Sequence, residues 1–182
     1  TEEQFQEDFN HYDRSNYITD RADLVGKAIS ILANKAGIYG MIGGQSVDVE
    51  YTDRPVTKSQ LEFIYELKTA ALLEAAMMIG AVLAGADDNQ VKAAEQIAHH
   101  VGMAFQIRDD ILDVISTTEE LGKPVKSDEK NNKVTYVSLM GIQAAAGKVK
   151  ELSDHAVDLL NSLDRENEFL DLLVESLVSR RK

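Results

Sequence analysis

The sequence predicts an all-α fold, and three observations lead to that prediction. Residues that favour helices dominate the composition. Apolar residues recur at the 3.6-residue spacing of helices over most of the chain. The alternation of β-branched residues that is typical of strands occurs nowhere at useful length. With 182 residues, the chain is long enough for one domain with a sizeable core.

The composition and charge restrict the class of protein. Apolar residues make up 44% of the chain and charged residues 27%, as in folded proteins. The 31 acidic residues outnumber the 19 Lys and Arg residues, and a net charge of −12 repels nucleic acid. The absence of cysteine excludes disulfides, cysteine-bound zinc and thiol chemistry, and we expect a cytoplasmic protein. The most apolar stretch, residues 70–86, carries Glu74, which predicts a buried helix rather than stable membrane insertion.

The first part of the chain predicts one helix and a close contact. Residues 1–20 are polar and remain unassigned, whereas the apolar spacing of residues 24–39 predicts a helix. Four glycines between residues 37 and 44 include pairs that lie three or four positions apart. Each costs a helix about 1 kcal/mol relative to alanine, so we expect a neighbouring helix to approach this backbone closely. Val47 and Val49 are expected to lead into a loop.

Capping signals place the helices that follow. After Pro55, Thr57 and Gln60 form a capping-box signature for a helix over residues 58–83. The next helix, over residues 90–115, is apolar on nearly all sides, so we expect other helices around it. The remaining predicted segments are a polar loop over residues 116–132 and helices over residues 136–146, 148–163 and 166–181.

Three acidic residues and a glutamine share one face of the predicted helix over residues 90–115. At 100° per residue, the four side chains fall within an arc of roughly 100°. They are Gln106, Asp109, Asp110 and Asp113. The carboxylates lie near the helix C-terminus, where the helix dipole disfavours negative charge, so a cation should compensate. Such oxygen ligands suit Mg²⁺, which bridges to substrate phosphates. The alternative is a solvated acidic patch, although the apolar neighbours leave little room for an exposed face.

Lys68 is a second candidate site residue. It lies beside Thr69 in the middle of the predicted helix over residues 58–83, between apolar residues. A buried lysine is paired with an anion or loses its charge, so Lys68 could bind an anionic group. The alternatives are a side chain that reaches the surface, or one that pairs with Glu66 or Glu74.

The polar segment after the aspartates carries further lysines, and these suit a diphosphate. Their ammonium groups can neutralise oxygens that a metal leaves uncovered. The lysines are Lys123, Lys126, Lys130 and Lys133. We expect Lys126 and Lys130 to be solvated, and His99 to be a packed histidine rather than a ligand. No glycine-rich phosphate loop or serine nucleophile elbow occurs, so nucleotide-driven and acyl-transfer chemistry have no support.

Five short blocks, in the same order, resemble the C-terminal part of the trans-isoprenyl diphosphate synthases, and most closely the bacterial short-chain farnesyl type. The resemblance covers residues 22–182 and implies the isoprenoid-synthase helix bundle without its N-terminal helices. The blocks are Gly43-Gly44-Gln45-Ser46-Val47-Asp48, Lys68-Thr69-Ala70-Ala71-Leu72, Phe105-Gln106-Ile107-Arg108-Asp109-Asp110-Ile111-Leu112-Asp113, Leu121-Gly122-Lys123 and Asn132-Lys133-Val134-Thr135-Tyr136.

The resemblance implies a reaction and assigns roles to these residues. With Mg²⁺, an allylic diphosphate such as dimethylallyl or geranyl diphosphate is ionised, and isopentenyl diphosphate attacks the carbocation. The expected product is a short-chain isoprenyl diphosphate such as farnesyl diphosphate. By resemblance, the metal ligands are Asp109, Asp110 and Asp113; the allylic diphosphate is held by Lys68, Lys123 and Lys133; and Thr69 and Gln106 line the developing cation. The intact protein is expected to be a homodimer.

The sequence departs from the family in two respects. Lys126 stands where the family usually has glycine, which affects the path of that loop. No second Asp-Asp-x-x-Asp pattern occurs, since Asp87-Asp88 is followed by Asn89-Gln90-Val91. The first aspartate-rich motif and the isopentenyl-diphosphate-binding residues therefore belong to a front part that this chain lacks. We expect a truncated chain that is inactive alone and that associates through faces the missing helices would cover.

Two other functions fit a helical chain of this kind. A non-catalytic helical interaction subunit of a heteromeric prenyl synthase would tolerate loss of the site residues, but these are present. A terpene cyclase or head-to-head synthase uses similar aspartates, but the lysine-containing blocks favour chain elongation.

Overall fold

The structure is a computed structural model that describes residues 21–116, 133–163 and 168–179. Within these ranges the regular structure is helical and no strand occurs, which confirms the predicted all-α fold. In chain order the elements are α1 (Ala22–Ala36), α2 (Met41–Glu50), α3 (Lys58–Tyr65), a π-helical turn (Glu66–Ala70), α4 (Ala71–Leu83), α5 (Asp88–Ile115), α6 (Tyr136–Met140), α7 (Ile142–Asn161) and α8 (Glu168–Ser179).

Helix α5 forms the centre of the described bundle. It packs most extensively against α7 and α4, and it also contacts α8 and the π-helical turn. Its side chains Ile97 and Ile107 are 1% and 0% exposed. One apolar cluster surrounds Ile107 with residues of α3, α6 and α7, and a second surrounds Ile97 with residues of α7 and α8. Other helices therefore enclose α5, as its apolar sequence predicts.

Capping boxes fix where α3 and α5 begin. The backbone N–H of Thr57 donates to Oε1 of Gln60 over 2.9 Å, while the Thr57 side chain accepts from the backbone N–H of Gln60. Asp87 and Gln90 make the same reciprocal pair at the start of α5. The predicted helix start at Lys58 is confirmed, and α5 begins two residues before its predicted start.

Val47 and Val49 lie near the end of α2, which stops at Glu50 and leads into a loop, as predicted. One predicted boundary was wrong. The predicted helices over residues 136–146 and 148–163 are divided differently: α6 ends at Met140 and α7 runs on through Gly147. Gly141 has a φ of 80°, a left-handed conformation that stops a helix and that glycine adopts without strain. The break between α6 and α7 therefore falls at Gly141 rather than at Gly147.

Two glycines let helices approach the π-helical turn closely. A Cβ atom added at Gly44 of α2 would lie 2.7 Å from Cβ of Leu67. A Cβ atom added at Gly102 of α5 would lie 2.7 Å from Cα of Ala70. Real side chains do not tolerate such distances, so only glycine fits at either position. The predicted close approach of a helix to the glycine segment is confirmed at Gly44.

Large apolar side chains are exposed around α1, α2 and the turn between them. We call Ile29, Leu32, Ile38, Tyr39 and Ile42 the α1–α2 apolar surface; Ile38 and Tyr39 are 70% and 76% exposed. Single exposed apolar residues are common, whereas a group of this kind is a candidate surface for packing against other chain segments.

Several predictions concern residues outside the described ranges. They include the unassigned residues 1–20, the polar loop, and the loop lysines Lys123, Lys126 and Lys130. Among the helices that the structure does describe, none is both long and apolar enough to cross a membrane.

Candidate active site

The π-helical turn presents Lys68 and Thr69 between α3 and α4. A π-helical turn holds more residues than an α-helical turn, and such turns are frequent at functional sites. Helices α2 and α5 contact this turn from two directions through Gly44 and Gly102. The orientation of Lys68 and Thr69 is therefore set by tight backbone packing on both sides.

The ammonium group of Lys68 contacts Asp48 of α2. Nζ of Lys68 donates to Oδ2 of Asp48 over 2.6 Å, and Nζ of Lys133 approaches the same oxygen at 3.4 Å. The three side chains are 32%, 20% and 40% exposed for Lys68, Asp48 and Lys133. Neither Glu66 nor Glu74, the two partners considered from the sequence, pairs with Lys68.

The charge of Asp48 follows from these contacts. Burial opposes ionisation of the carboxyl group, but the hydrogen bond from Lys68 and the positive charge of Lys133 outweigh it. The pKa of Asp48 is consequently below its ordinary value. Two ammonium groups and one carboxylate leave a net positive charge at a partly open position, which can attract an anion.

Thr69 and Gln106 lie in direct contact. Oγ1 of Thr69 donates to Oε1 of Gln106 over 3.0 Å, and both residues are half-buried. The resemblance implies that both line one developing cation, and the structure places them side by side. Gln106 connects the π-helical turn to α5, the helix that carries the aspartates.

The three aspartates of α5 have different surroundings. Asp110 is 3% exposed, and its Oδ2 accepts hydrogen bonds from the Tyr65 hydroxyl over 2.6 Å and the Tyr136 backbone N–H over 2.8 Å. Asp113 is also 3% exposed, whereas Asp109 is half-buried. Asp110 thus connects α5 to α3 and α6, whereas all three carboxylates were predicted to serve as metal ligands.

Of the three aspartates, Asp109 is the one nearest in sequence to Gln106. It follows Gln106 by three positions, a rise of about 4.5 Å along α5. Within residues 21–116, 133–163 and 168–179, no group of three or more His, Cys, Asp or Glu side chains is arranged to hold a metal. Mg²⁺ commonly uses one or two carboxylates together with water and substrate phosphate, so Asp109 on a half-buried face fits that ion.

A separate cluster of charged residues lies nearer to the N-terminus of α5. Lys35 of α1 pairs with Glu74 of α4 and, over 2.6 Å, with Glu95 of α5. Nδ1 of His99 lies 3.0 Å from Oε1 of Glu74. His99 precedes Gln106 by seven residues, about 10 Å along the helix. The cluster connects α1, α4 and α5 and lies apart from the lysine pair.

Sequence reasoning missed two residues of this region. Asp48 belongs to one of the matching blocks, but no role was predicted for it. Its position four residues after Gly44, on the same helix face, is a signal that could have placed it near Lys68. Tyr65 gave no comparable signal, because its partner Asp110 is 45 residues away in the chain.

The chain matches a known protein family over most of its length. The family model described as polyprenyl synthetase matches residues 15–170. A farnesyl diphosphate synthase of Geobacillus stearothermophilus is 38% identical over 154 residues, which cover 85% of this chain and 52% of that protein. A geranylgeranyl diphosphate synthase of Cyanophora paradoxa is 37% identical, with 87% of this chain and 53% of that protein covered.

Solved structures give the same result. The structure is similar, with a TM-score of 0.73 and 31% identity, to a Helicobacter pylori geranyltransferase complexed with magnesium and isoprenyl diphosphate. That match covers 87% of this chain and 52% of the other. The chain therefore spans about half the length of the relatives that it matches.

Proposed function

Because the chain belongs to the polyprenyl synthetase family, we propose that it carries the allylic-diphosphate part of a Mg²⁺-dependent prenyltransferase. In the proposed reaction, an allylic diphosphate such as dimethylallyl or geranyl diphosphate condenses with isopentenyl diphosphate. The proposed product is a short-chain isoprenyl diphosphate, with farnesyl diphosphate as the first candidate.

One observation carries the proposal: ion pairs, a hydrogen bond and short sequence separations link the residues that this chemistry needs. Lys133 and Lys68 meet at one carboxylate, and Lys68 is followed directly by Thr69. Thr69 donates to Gln106, which lies one helical turn from Asp109. Cationic groups, a polar pair and a carboxylate thus follow one another from Lys133 to Asp109.

Each group has a role in breaking the bond between the allylic carbon and the diphosphate. Lys68 and Lys133 would bind the diphosphate and stabilise the negative charge that grows on it as it leaves. The oxygens of Thr69 and Gln106 would lie against the positive charge that grows on the allylic carbon. The apolar packing around α5 would keep water from the carbocation. Isopentenyl diphosphate then supplies the attacking double bond, and a proton is lost.

The metal part of the proposal rests on the aspartates. Bound Mg²⁺ would neutralise charge on the diphosphate. Asp109 is the proposed first ligand, and Asp113 would add a carboxylate from the next turn. Asp110 would contribute chiefly by holding α5 in place, because one of its oxygens already accepts two hydrogen bonds. Lys123 is proposed as a third lysine for the diphosphate on the basis of the resemblance.

We further propose that the reaction needs a segment that these 182 residues do not supply. The chain spans about half the length of its relatives, and it contains one Asp-Asp-x-x-Asp pattern, at residues 109–113. The α1–α2 apolar surface would pack against the additional segment. The intact enzyme is proposed to be a homodimer.

The test is prenyl transfer by this chain, with labelled isopentenyl diphosphate and dimethylallyl or geranyl diphosphate, in Mg²⁺ and in EDTA. We expect no product from the chain alone and Mg²⁺-dependent product when the N-terminal half of a relative such as the Geobacillus enzyme is added. The variant Asp109→Asn should abolish the restored activity. Restored activity that is insensitive to Asp109→Asn and Lys68→Ala would instead indicate a non-catalytic interaction subunit.

A further inference from the structure

We propose that Asp48 is a positioning residue that takes the place of the substrate's diphosphate between Lys68 and Lys133 and holds both ammonium groups ready to bind it. The inference rests on the proposed function, since it assigns the two lysines to a diphosphate. It adds a residue for which the sequence comparison gave no role.

Helix α2 is built to present this carboxylate to Lys68. Gly44 and Asp48 are four residues apart, so they lie on the same face of α2. At Gly44 the helix is so close to the π-helical turn that a Cβ atom would meet Leu67 at 2.7 Å. One helical turn later, Asp48 accepts the hydrogen bond from Nζ of Lys68 over 2.6 Å. The backbone packing at Gly44 and the ion pair at Asp48 therefore hold the same face of α2 against the π-helical turn.

Asp48 also brings together two lysines from distant parts of the chain. Lys68 belongs to the π-helical turn, whereas Lys133 lies just before α6 and 85 residues from Asp48. Two ammonium groups repel each other, and each lysine side chain has many rotamers. The shared oxygen Oδ2 offsets the repulsion and selects the rotamers in which both groups converge. Asp48 carries the negative charge that this role requires, because its lysine partners outweigh burial and lower its pKa.

A carboxylate beside an anion site has two opposing effects. Its charge disfavours the incoming diphosphate, but its hydrogen bonds prepare the lysines in one geometry. The side chains are 20–40% exposed, so solvent and salt weaken the repulsion between Asp48 and the diphosphate. The geometric effect persists, because charge-assisted hydrogen bonds are directional. We therefore expect removal of Asp48 to weaken diphosphate binding rather than strengthen it.

The experiment compares Asp48→Asn and Asp48→Glu with a matched control, Glu50→Gln. Glu50 lies on the same helix and is 65% exposed, and it pairs only loosely with Arg54 at 3.8 Å, so its substitution removes the same charge away from the lysines. Binding of inorganic diphosphate with Mg²⁺ is measured by calorimetry. We expect Asp48→Asn to bind about tenfold more weakly, Glu50→Gln to bind like the wild-type chain, and Asp48→Glu to recover part of the loss. Equal or tighter binding by Asp48→Asn would overturn the proposal.

A second measurement does not depend on substrate. The rate at which an amine-acylating reagent labels Lys68 is compared with that of Lys92, an exposed lysine of α5, by mass spectrometry of peptides. We expect Asp48→Asn to raise the relative labelling of Lys68 about threefold or more, because its ammonium group is released. Unchanged labelling would overturn the proposal whatever the diphosphate result. A wild-type chain that binds no diphosphate, yet shows the labelling change, would refute the proposed function and leave the ion pair confirmed.

Discussion

The hydroxyl group of Tyr65 donates a 2.6 Å hydrogen bond to Oδ2 of Asp110, and this contact joins α3 to the aspartate-bearing helix α5. The backbone N–H of Tyr136 donates to the same oxygen over 2.8 Å, so α6 is attached at the same point. All three residues are buried. The middle aspartate of the motif thus fixes the helices around the site in relation to each other.

We expect Tyr65→Phe to destabilise the chain by about 1.5–3 kcal/mol, because a buried carboxylate oxygen loses a hydrogen bond from a neutral donor. The free energy of unfolding in urea measures the effect. The control is Tyr51→Phe, which removes a hydroxyl that accepts from Nε2 of Gln60 at a half-buried position, over 3.1 Å. A loss in Tyr65→Phe no larger than in this control would show that the contact has little weight.

The close packing at Gly102 gives a second prediction. In Gly102→Ala the new methyl group would meet the backbone of Ala70 at 2.7 Å, so α5 and the π-helical turn must move apart. We expect a loss of about 1–3 kcal/mol in unfolding free energy and weaker diphosphate binding, since Thr69 shifts away from Gln106. Gly80→Ala is the control: Gly80 lies inside α4 with open space around it, and alanine there should stabilise the helix. Equal behaviour of the two variants would contradict the packing argument.

The pair of half-buried His99 and buried Glu74 makes stability depend on pH. The hydrogen bond to Glu74 raises the pKa of His99, although burial opposes this. Burial disfavours the charged form of Glu74, but hydrogen bonds from His99 and Lys35 outweigh it and lower the pKa of Glu74. Glu66, near the start of the π-helical turn, also favours the charged histidine. Both partners are therefore stabilised in their charged forms.

The signs of these shifts define the pH window. The contribution of His99 is complete below about pH 6.5, the ordinary pKa of histidine, and is lost as pH rises through the raised pKa. The contribution of Glu74 is complete above the ordinary glutamate pKa and is lost as pH falls through the lowered pKa. His100, whose pKa burial lowers, acts in the opposite direction, so the measured quantity is the difference in unfolding free energy between the wild-type chain and His99→Gln. We expect this difference to decrease as the pH rises above about 6.5. A difference between the two chains that does not change with pH would refute the assignment.

Much of the fold could be predicted because its signals are local. The capping residues Thr57 and Gln60, three positions apart, define a helix start without reference to the rest of the chain. The enclosure of α5 followed from its apolar sequence alone. The break before α7 could not be located in this way, because both Gly141 and Gly147 could end a helix and only tertiary packing selects one.

The residues of the site could be predicted from the sequence, but the contacts between them could not. Lys68 was expected to need an anion, but both partners considered were close in sequence. Residues two apart on a helix do not face each other, which disfavours Glu66, and Glu74 is occupied by Lys35 and His99. The true partner, Asp48, is 20 residues away on another helix, and its approach depends on Gly44. Such long-range pairs follow from packing, and the four-residue spacing of Gly44 and Asp48 is the local signal of it in this chain.

The most direct test of the account is binding of geranyl diphosphate to this chain, measured by calorimetry with Mg²⁺ and with EDTA. We predict binding that requires Mg²⁺, that falls about 10- to 100-fold in Lys68→Ala and in Asp109→Asn, and that is unchanged in the surface variant Lys92→Ala. Binding that is equally strong in EDTA, or that survives both site substitutions, would contradict the assignment of this site to an allylic diphosphate and its metal.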